Sequence, residues 1–318
     1  MRRLNLVFID MNPKVHNQWQ VHYQKIVKSL DQYGVKYRNE YVYHFQNSSI
    51  HSLLLGDTNF GSGSRLLEDS NINKLVEEHN SGKPSNSRLE KTLPFGKSAV
   101  MTPTNSLSYM GGGFDRYLVE ALLKLRYHDF KTQLQTYCLN KFQGYTPVNT
   151  VNSVNLLEAL DDYSRSQAYK SWNLTDLICI PSMVVPEAAS STQGPTNIFD
   201  TIWNLLLHIE NELVDTENVI IPGIGTGYGN LDTNTATYSM LMATFIFNLQ
   251  LSTKDPRLRQ LKKSLLILFL FNKNYKDLIN IDDLQELEKD ILTEYGAGKT
   301  LRPGEMMDID DILKCIQW

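Results

Sequence analysis

Apolar and polar positions along the chain change rhythm several times, and each change marks an element. Leu4–Ile9 is a short apolar run that stops at Asp10 and is followed by Asn-Pro, the pattern of a buried strand ending in a turn. Gln18–Leu30 is mixed and predicts a helix, whereas Tyr37–Phe45 alternates, is rich in tyrosine and valine, and predicts a strand. From about Gly56 to Pro94 the rhythm is lost. That stretch holds Gly61–Ser64 and Asn80–Ser87 with few aromatics, so it predicts a long surface insertion containing one amphipathic piece, Arg65–Glu78. Order returns with a strand at Ser98–Met101, a loop at Pro103–Asp115 and a helix at Arg116–Arg126, whose Leu118, Leu122 and Leu125 share a face. Leu174–Ile180 predicts another strand. Ile198, Ile202, Leu205 and Ile209 recur at helical spacing, and Asn218–Pro222 is a strand followed by a loop to Leu231 and a helix over Thr233–Leu249. Leu265–Phe271 predicts a last buried strand, and the tail has acidic, helix-favouring pieces at Asp282–Leu292 and Met306–Ile316.

The second half therefore alternates strand and helix, which predicts an α/β fold with a largely parallel sheet covered on both faces. In such sheets ligands bind beyond the carboxyl ends of the strands. Composition narrows the picture. With 318 residues the chain can bury a sizeable core, and 42% hydrophobic with 21% charged content is that of a globular protein. A net charge of −4 leaves no global basic field to draw nucleic acid or an anionic membrane. Three widely spaced cysteines, Cys138, Cys179 and Cys315, argue against a disulfide framework or a zinc knuckle and for a reducing compartment. The longest apolar run, Leu265–Phe271, is too short to span a bilayer, and Leu6–Ile9 is too short for a signal peptide. A cytoplasmic or nuclear protein is expected, with no cofactor and no metal-ligand spacing.

Seven of the 18 glycines fall in two loops, at Gly111–Gly113 and at Gly223, Gly225, Gly227 and Gly229. Glycine tolerates positive φ and lets backbone approach a ligand closely, and successive exposed N–H groups form an anion-binding concavity beside a helix N-terminus. Each loop lies between a predicted strand and a predicted helix, so both are candidate phosphate cradles. Neither has the Gly-Lys-Ser/Thr of a P-loop, and Gly223-Ile-Gly-Thr-Gly-Tyr lacks the dinucleotide spacing. Taken alone, either could be a tight turn.

The residues around these glycines carry a family resemblance. Met101-Thr-Pro-Thr-Asn-Ser-Leu-Ser-Tyr-Met-Gly-Gly-Gly-Phe-Asp115 resembles the first motif of macro domains. Val219-Ile-Ile-Pro-Gly-Ile-Gly-Thr-Gly-Tyr-Gly229 resembles their second loop, and Leu6-Val-Phe-Ile-Asp10 their adenine-binding strand. The likeness covers about residues 4–55 and 97–272 and is greatest to fungal macro proteins regarded as ADP-ribose 1''-phosphate phosphatases. It implies a three-layer α-β-α fold with a mixed, largely parallel sheet. It also implies a macro domain over 1–275, interrupted at about 56–96, with an acidic helical extension over 276–318 packed on it.

The resemblance implies roles as well. Asp10 accepts from the adenine amino group, with Met11 beside it, and Asn105 holds the distal ribose. Gly111, Gly112, Gly113 and Phe114 pack on that ribose. The backbone N–H groups of Gly225, Thr226, Gly227 and Tyr228 wrap the diphosphate, Tyr228 covers the ribose, and Pro222, Gly223 and Ile224 complete the ligand-binding loop. Asn105 and Asp115 are the candidate catalytic pair, Asp115 activating water. Each has a plainer reading: a turn for Asp10, a loop brace for Asn105, a helix cap for Asp115, packing for Tyr228. Two positions depart from the pattern: Thr102 replaces an asparagine and Met110 a glycine, and the larger Met110 would narrow the distal pocket. His128 and His208 fall on predicted helices outside both loops, which leaves a histidine base or nucleophile unsupported. The leading expectation is hydrolysis of ADP-ribose 1''-phosphate, a by-product of tRNA splicing. Open alternatives are a hydrolase of mono-ADP-ribosylated proteins or O-acetyl-ADP-ribose, and a non-catalytic ADP-ribose reader. ADP-ribose, its 1''-phosphate and ADP-ribosylated proteins are the expected partners.

Overall fold

The computed structural model describes residues 3–55, 96–122, 127–188, 194–251, 255–277, 281–298 and 306–318. The predicted insertion and its amphipathic piece lie outside the described residues. In chain order the elements are β1 (Leu4–Asp10), α1 (Pro13–Gln32), β2 (Lys36–Tyr37), β3 (Tyr41–Asn47), α2 (Ile50–Leu55) and β4 (Lys97–Thr102). There follow α3 (Gly113–Leu122), α4 (Tyr127–Phe142), β5 (Asn152–Asn155), α5 (Leu156–Ala159), α6 (Gln167–Trp172), β6 (Leu174–Cys179) and α7 (Gly194–Asn211). The remainder is β7 (Thr216–Pro222), α8 (Thr233–Asn248), β8 (Leu249–Gln250), α9 (Pro256–Leu270), α10 (Ile281–Asp290), α11 (Glu294–Ala297) and α12 (Ile309–Lys314).

Six strands form one sheet in the order β3-β1-β7-β4-β6-β5. All neighbours are parallel except β5, which runs antiparallel to β6 at one edge. Strand alternation sorts the apolar runs into two layers. Leu6, Phe8, Met101, Val219 and Ile221 face a core built with α1, α7, α8 and α9. Val7, Ile9, Val100, Leu177 and Ile220 face a second core built with α2, α3, α4 and α6. The expected three-layer fold with a mixed, largely parallel sheet is thus present.

Local chemistry explains the main elements. Pro13 starts α1 behind the N-cap Asn12, whose side chain accepts from the Lys14 N–H. Val15, Trp19, Ile26 and Leu30 give that helix its buried face, and Gly34, at φ +65°, ends the turn after it. At the amino end of the sheet, fully buried Asn218 ties three strands together. It donates to Ser98 Oγ at 3.0 Å and accepts from Asn5 Nδ2 at 3.1 Å. Such a satisfied polar link fixes register, because a slipped strand would leave buried amides unpaired.

Three sequence expectations are corrected. Leu265–Phe271 is not a strand: it forms the last turns of α9 and the residue that caps it. Asp255 accepts from the Arg257 N–H and Pro256 opens the helix, while Leu265, Leu266, Phe269 and Leu270 make one buried face. A short apolar run cannot by itself separate buried strand from buried helix, and the Asp-Pro start signal decides it. Tyr37–Phe45 is split by a turn into β2, which pairs with β8, and β3, which joins the main sheet. The helix expected from Arg116 begins at Gly113, so Asp115 lies in its first turn and does not cap it.

The tail is tied to the body. Ile309, Ile312 and Leu313 of α12 join the core beside α1 and α9, and the Tyr238 hydroxyl donates to the Met307 carbonyl at 2.9 Å. No helix among the described residues is long and apolar enough to cross a membrane. Ile312→Ala should lower stability by about 2–5 kcal/mol in urea unfolding, the cost of a cavity in a shared core. A main transition left unmoved would show that the tail folds apart from the body.

Candidate functional site

The parallel pairing of β4 with β7 and β6 brings three loops to one sheet edge. The loop after β4 carries Pro103–Gly112, the loop after β7 carries Gly223–Leu231, and the loop after β6 carries Ile180–Pro186. The first and third are zipped together beyond the strands. Ile180 N–H donates to Thr102 O at 3.1 Å, Ser182 N–H to Thr104 O at 3.0 Å and Ser106 N–H to Met183 O at 3.0 Å. Between the loops lies a cavity of about 430 Å³, the size of a small-molecule site.

Of the residues singled out in the sequence, Asn105, Gly111, Gly112, Gly113, Phe114, Asp115, Gly223, Gly225, Gly227 and Tyr228 line this cavity. Pro222 and Ile224 are buried, Pro222 in β7 and Ile224 in the core, and neither lines the cavity. Asp10, Met11 and Thr226 are outside the lining as well. Asp10 sits directly behind Gly223: a Cβ at that glycine would collide with Asp10 Oδ2. Its Oδ1 accepts from the Asn12 N–H at 2.7 Å, and burial raises its pKa against the pull of that bond. Met11 is more than half exposed beside it. His128 and His208 fall on α4 and α7.

The backbone N–H groups explain why glycine is used here. Among the described residues, those of Ile224 through Gly229 donate to no protein acceptor, nor do those of Gly111 and Gly112. The loop still has a defined shape. Gly225, at φ +81°, turns its carbonyl to accept from Leu231 N–H, and a Cβ at Gly229 would lie 2.6 Å from that carbonyl. At Gly111 and Gly227 a Cβ would meet nothing within 4 Å, so the room there faces the cavity rather than the fold. Of these six, Gly225, Gly227, Tyr228 and Gly229 line the cavity, and several unpaired donors there suit an oxyanion, which accepts several hydrogen bonds at once.

Asn105 is held as a brace. Its Oδ1 accepts from Leu107 N–H at 3.1 Å and Tyr109 N–H at 3.3 Å, and its Nδ2 donates to Tyr109 O at 2.9 Å. One Nδ2 hydrogen remains for a ligand. Asp115 is buried on the cavity wall and accepts a hydrogen bond from the Thr102 hydroxyl. Burial pushes its carboxyl up to about 7, and the Thr102 bond pulls the other way. The expectation that Met110 narrows the pocket is corrected. That side chain is 1% exposed, packs in the second core with Val100 and Leu118, and does not line the cavity. Tyr228 reaches across the cleft from the other loop: a Cβ on Gly112 would lie 3.2 Å from its hydroxyl, and one on Gly113 3.7 Å from its ring.

Two lining elements were not anticipated. Thr104 is buried on the cavity wall with an Oγ1 that has no partner among the described residues. Ser182, Met183, Val185 and Pro186 supply a third wall. Their signal was available, because the strand ending at Cys179 directs its following loop to the same edge as the other two.

A model of the macro-like domain family matches residues 46–293, and the chain belongs to that family. The match takes in both glycine loops and the third wall; β1, with Asp10, lies before it.

Asp115 makes stability depend on pH. Its folded pKa of about 7 lies above the ordinary 3.8, so its contribution is fully present below pH 4 and is lost as pH rises through 7. Asp115→Asn should therefore stabilise the protein at pH 8 by up to about 4 kcal/mol and have little effect at pH 4. Urea unfolding at both pH values measures this, and an equal effect at both would contradict the assigned burial.

Proposed function

We propose that this macro-like domain binds ADP-ribose and hydrolyses its 1''-phosphate ester to ADP-ribose and phosphate. The observation that supports the reading is the joining, in one cavity, of a run of unpaired backbone donors with a buried carboxyl poised near neutrality. The Ile224–Gly229 donors take the diphosphate, Tyr228 lies over the adjoining ribose, and Asp10 behind Gly223 receives the adenine amino group. The distal ribose sits against Gly111–Phe114, with the spare Asn105 hydrogen and Thr104 Oγ1 on its hydroxyls. Asp115 accepts a proton from water as that water bonds to phosphorus. The P–O bond to the ribose breaks with its electron pair going to the ribose oxygen, which takes the proton back from Asp115. A base with pKa near the working pH suits this step, since it is ionised in a large fraction of molecules and still basic enough to take the proton. A cytoplasmic or nuclear setting goes with this substrate.

One observation favours a second reading. Leu107, Tyr109, Val185 and Tyr228 are exposed apolar side chains at the cavity, a rim that suits ADP-ribose attached to a protein side chain. The same Asp115 would then activate water toward that linkage.

Titration calorimetry with ADP-ribose, followed by phosphate release from ADP-ribose 1''-phosphate, tests the proposal. Binding with release is expected. Binding without release, together with release of ADP-ribose from a modified protein, would favour the second reading. Asp115→Ala should retain ADP-ribose affinity and lose about 10²–10⁴-fold in rate, the scale of general-base catalysis; full activity would remove Asp115 from the mechanism. Gly227→Val should leave unfolding unchanged, since its side chain meets nothing in the free protein, and should weaken ADP-ribose binding at least tenfold. Unchanged affinity would show that the ligand does not approach this loop.

A further inference from the structure

We infer that Thr102 is a positioning residue that fixes the Asp115 carboxylate on the cavity wall with one oxygen occupied and the other left for water. The inference rests on the hydrolase reading above for its kinetic consequence and on geometry for the rest.

Thr102 is the last residue of β4, fully buried, and pairs in register with Cys179 of β6. Its backbone is held on that side by Ile180 N–H, which donates to its carbonyl. A β-branched side chain anchored in the strand interior has little χ1 freedom. Its hydroxyl therefore donates to Asp115 Oδ1 from a fixed place. Asp115 is itself fixed in the first turn of α3, so the strand and the helix hold one carboxyl between them. The bond is made with Oδ1; no hydrogen bond within the protein is made by Oδ2 among the described residues. Thr102 does not line the cavity, whereas Asp115 does, so any effect of Thr102 on reaction acts through Asp115.

Among the described residues the surrounding groups add no second side-chain hydrogen bond to this carboxyl. From β6 the Cys179 thiol lies close enough to feel its charge, and Cys138 and Lys141 of α4 stand behind that thiol. On α3, Arg116 pairs with Glu120 at 2.9 Å, and His51 of α2 lies 3.7 Å from the same carboxylate. From α6, Ala168 and Trp172 bring apolar surface to this layer. Tyr109 and Tyr228 line the same cavity. Burial and the first-turn helix dipole act on Asp115 in opposite senses, and the Thr102 hydroxyl adds to the dipole by favouring the ionised form.

The test is an NMR titration of carboxyl groups in the ligand-free chain, assigned with Asp115→Asn, for wild type, Thr102→Val and Thr102→Ser. It is run beside pH–rate profiles for phosphate release from ADP-ribose 1''-phosphate. Thr102→Val should raise the Asp115 midpoint by about one to two pH units, the shift equivalent to one hydrogen bond to an ionised group. The acidic limb of kcat should move by the same amount, so that rate is lost at pH 7 and recovered at pH 9 with KM unchanged. Thr102→Ser should restore both. If Thr102→Val does not fold, Thr102→Ala carries the same expected shift. A midpoint unmoved by loss of the hydroxyl, or unrestored by serine, overturns the inference. Midpoints that move as stated in a wild type that releases no phosphate uphold the positioning and defeat the phosphatase reading, so the two failures are distinct.

Discussion

Parallel pairing of β4 with β7 is the constraint on which the site depends. It sets the two glycine loops side by side at the carboxyl edge, one strand spacing apart, before any side chain at the site is considered. Slippage of that pair by one residue would reverse which apolar positions face which core. The buried Asn218 amide, shared with Asn5 and Ser98 at the opposite end of the same strands, resists such slippage. Polar groups outside the cavity lining therefore hold the register on which the cavity rests.

The loops extend that logic to the backbone. In the strands, N–H groups are consumed by ladders; past the end of β7 those of Ile224 through Gly229 have no protein acceptor among the described residues, and glycine keeps the approach to those at the cavity open. A buried unpaired donor would cost about 1–3 kcal/mol, so such a run is tolerated only where water or a ligand can reach it. Asp115 is the counterpart of this open chemistry. It is enclosed on the wall of the cavity, and its burial trades folding stability near neutral pH for basicity.

Much of this was legible in the sequence, for identifiable reasons. The strands at Ser98–Met101, Leu174–Ile180 and Asn218–Pro222 are apolar runs bounded by turn residues, and they carried both the sheet and the position of the loops. Leu265–Phe271 misled because apolar content without its capping context has no direction: the deciding residues, Asp255 and Pro256, stand about ten positions upstream. That Asn105 and Asp115 stand at one sheet edge and line one cavity was legible, but not their bonding. That Asn105 braces its own loop and that Asp115 takes a hydrogen bond from Thr102 depend on χ angles and on strand pairing between distant residues. Met110 was misjudged for a related reason, since its place in the motif says nothing about which layer its side chain enters.

The position of Tyr228 has one more consequence. Its hydroxyl lies 3.2 Å from where a Cβ at Gly112 would stand, so residues from two loops more than a hundred positions apart press on one another. Their substitutions are then non-additive: a methyl group at 112 crowds the hydroxyl when tyrosine is at 228 and loses that contact when a small residue stands there. The free energy of changing both differs from the sum of the separate changes. In a population of related sequences, the size of the residue at one of these positions would constrain the size tolerated at the other.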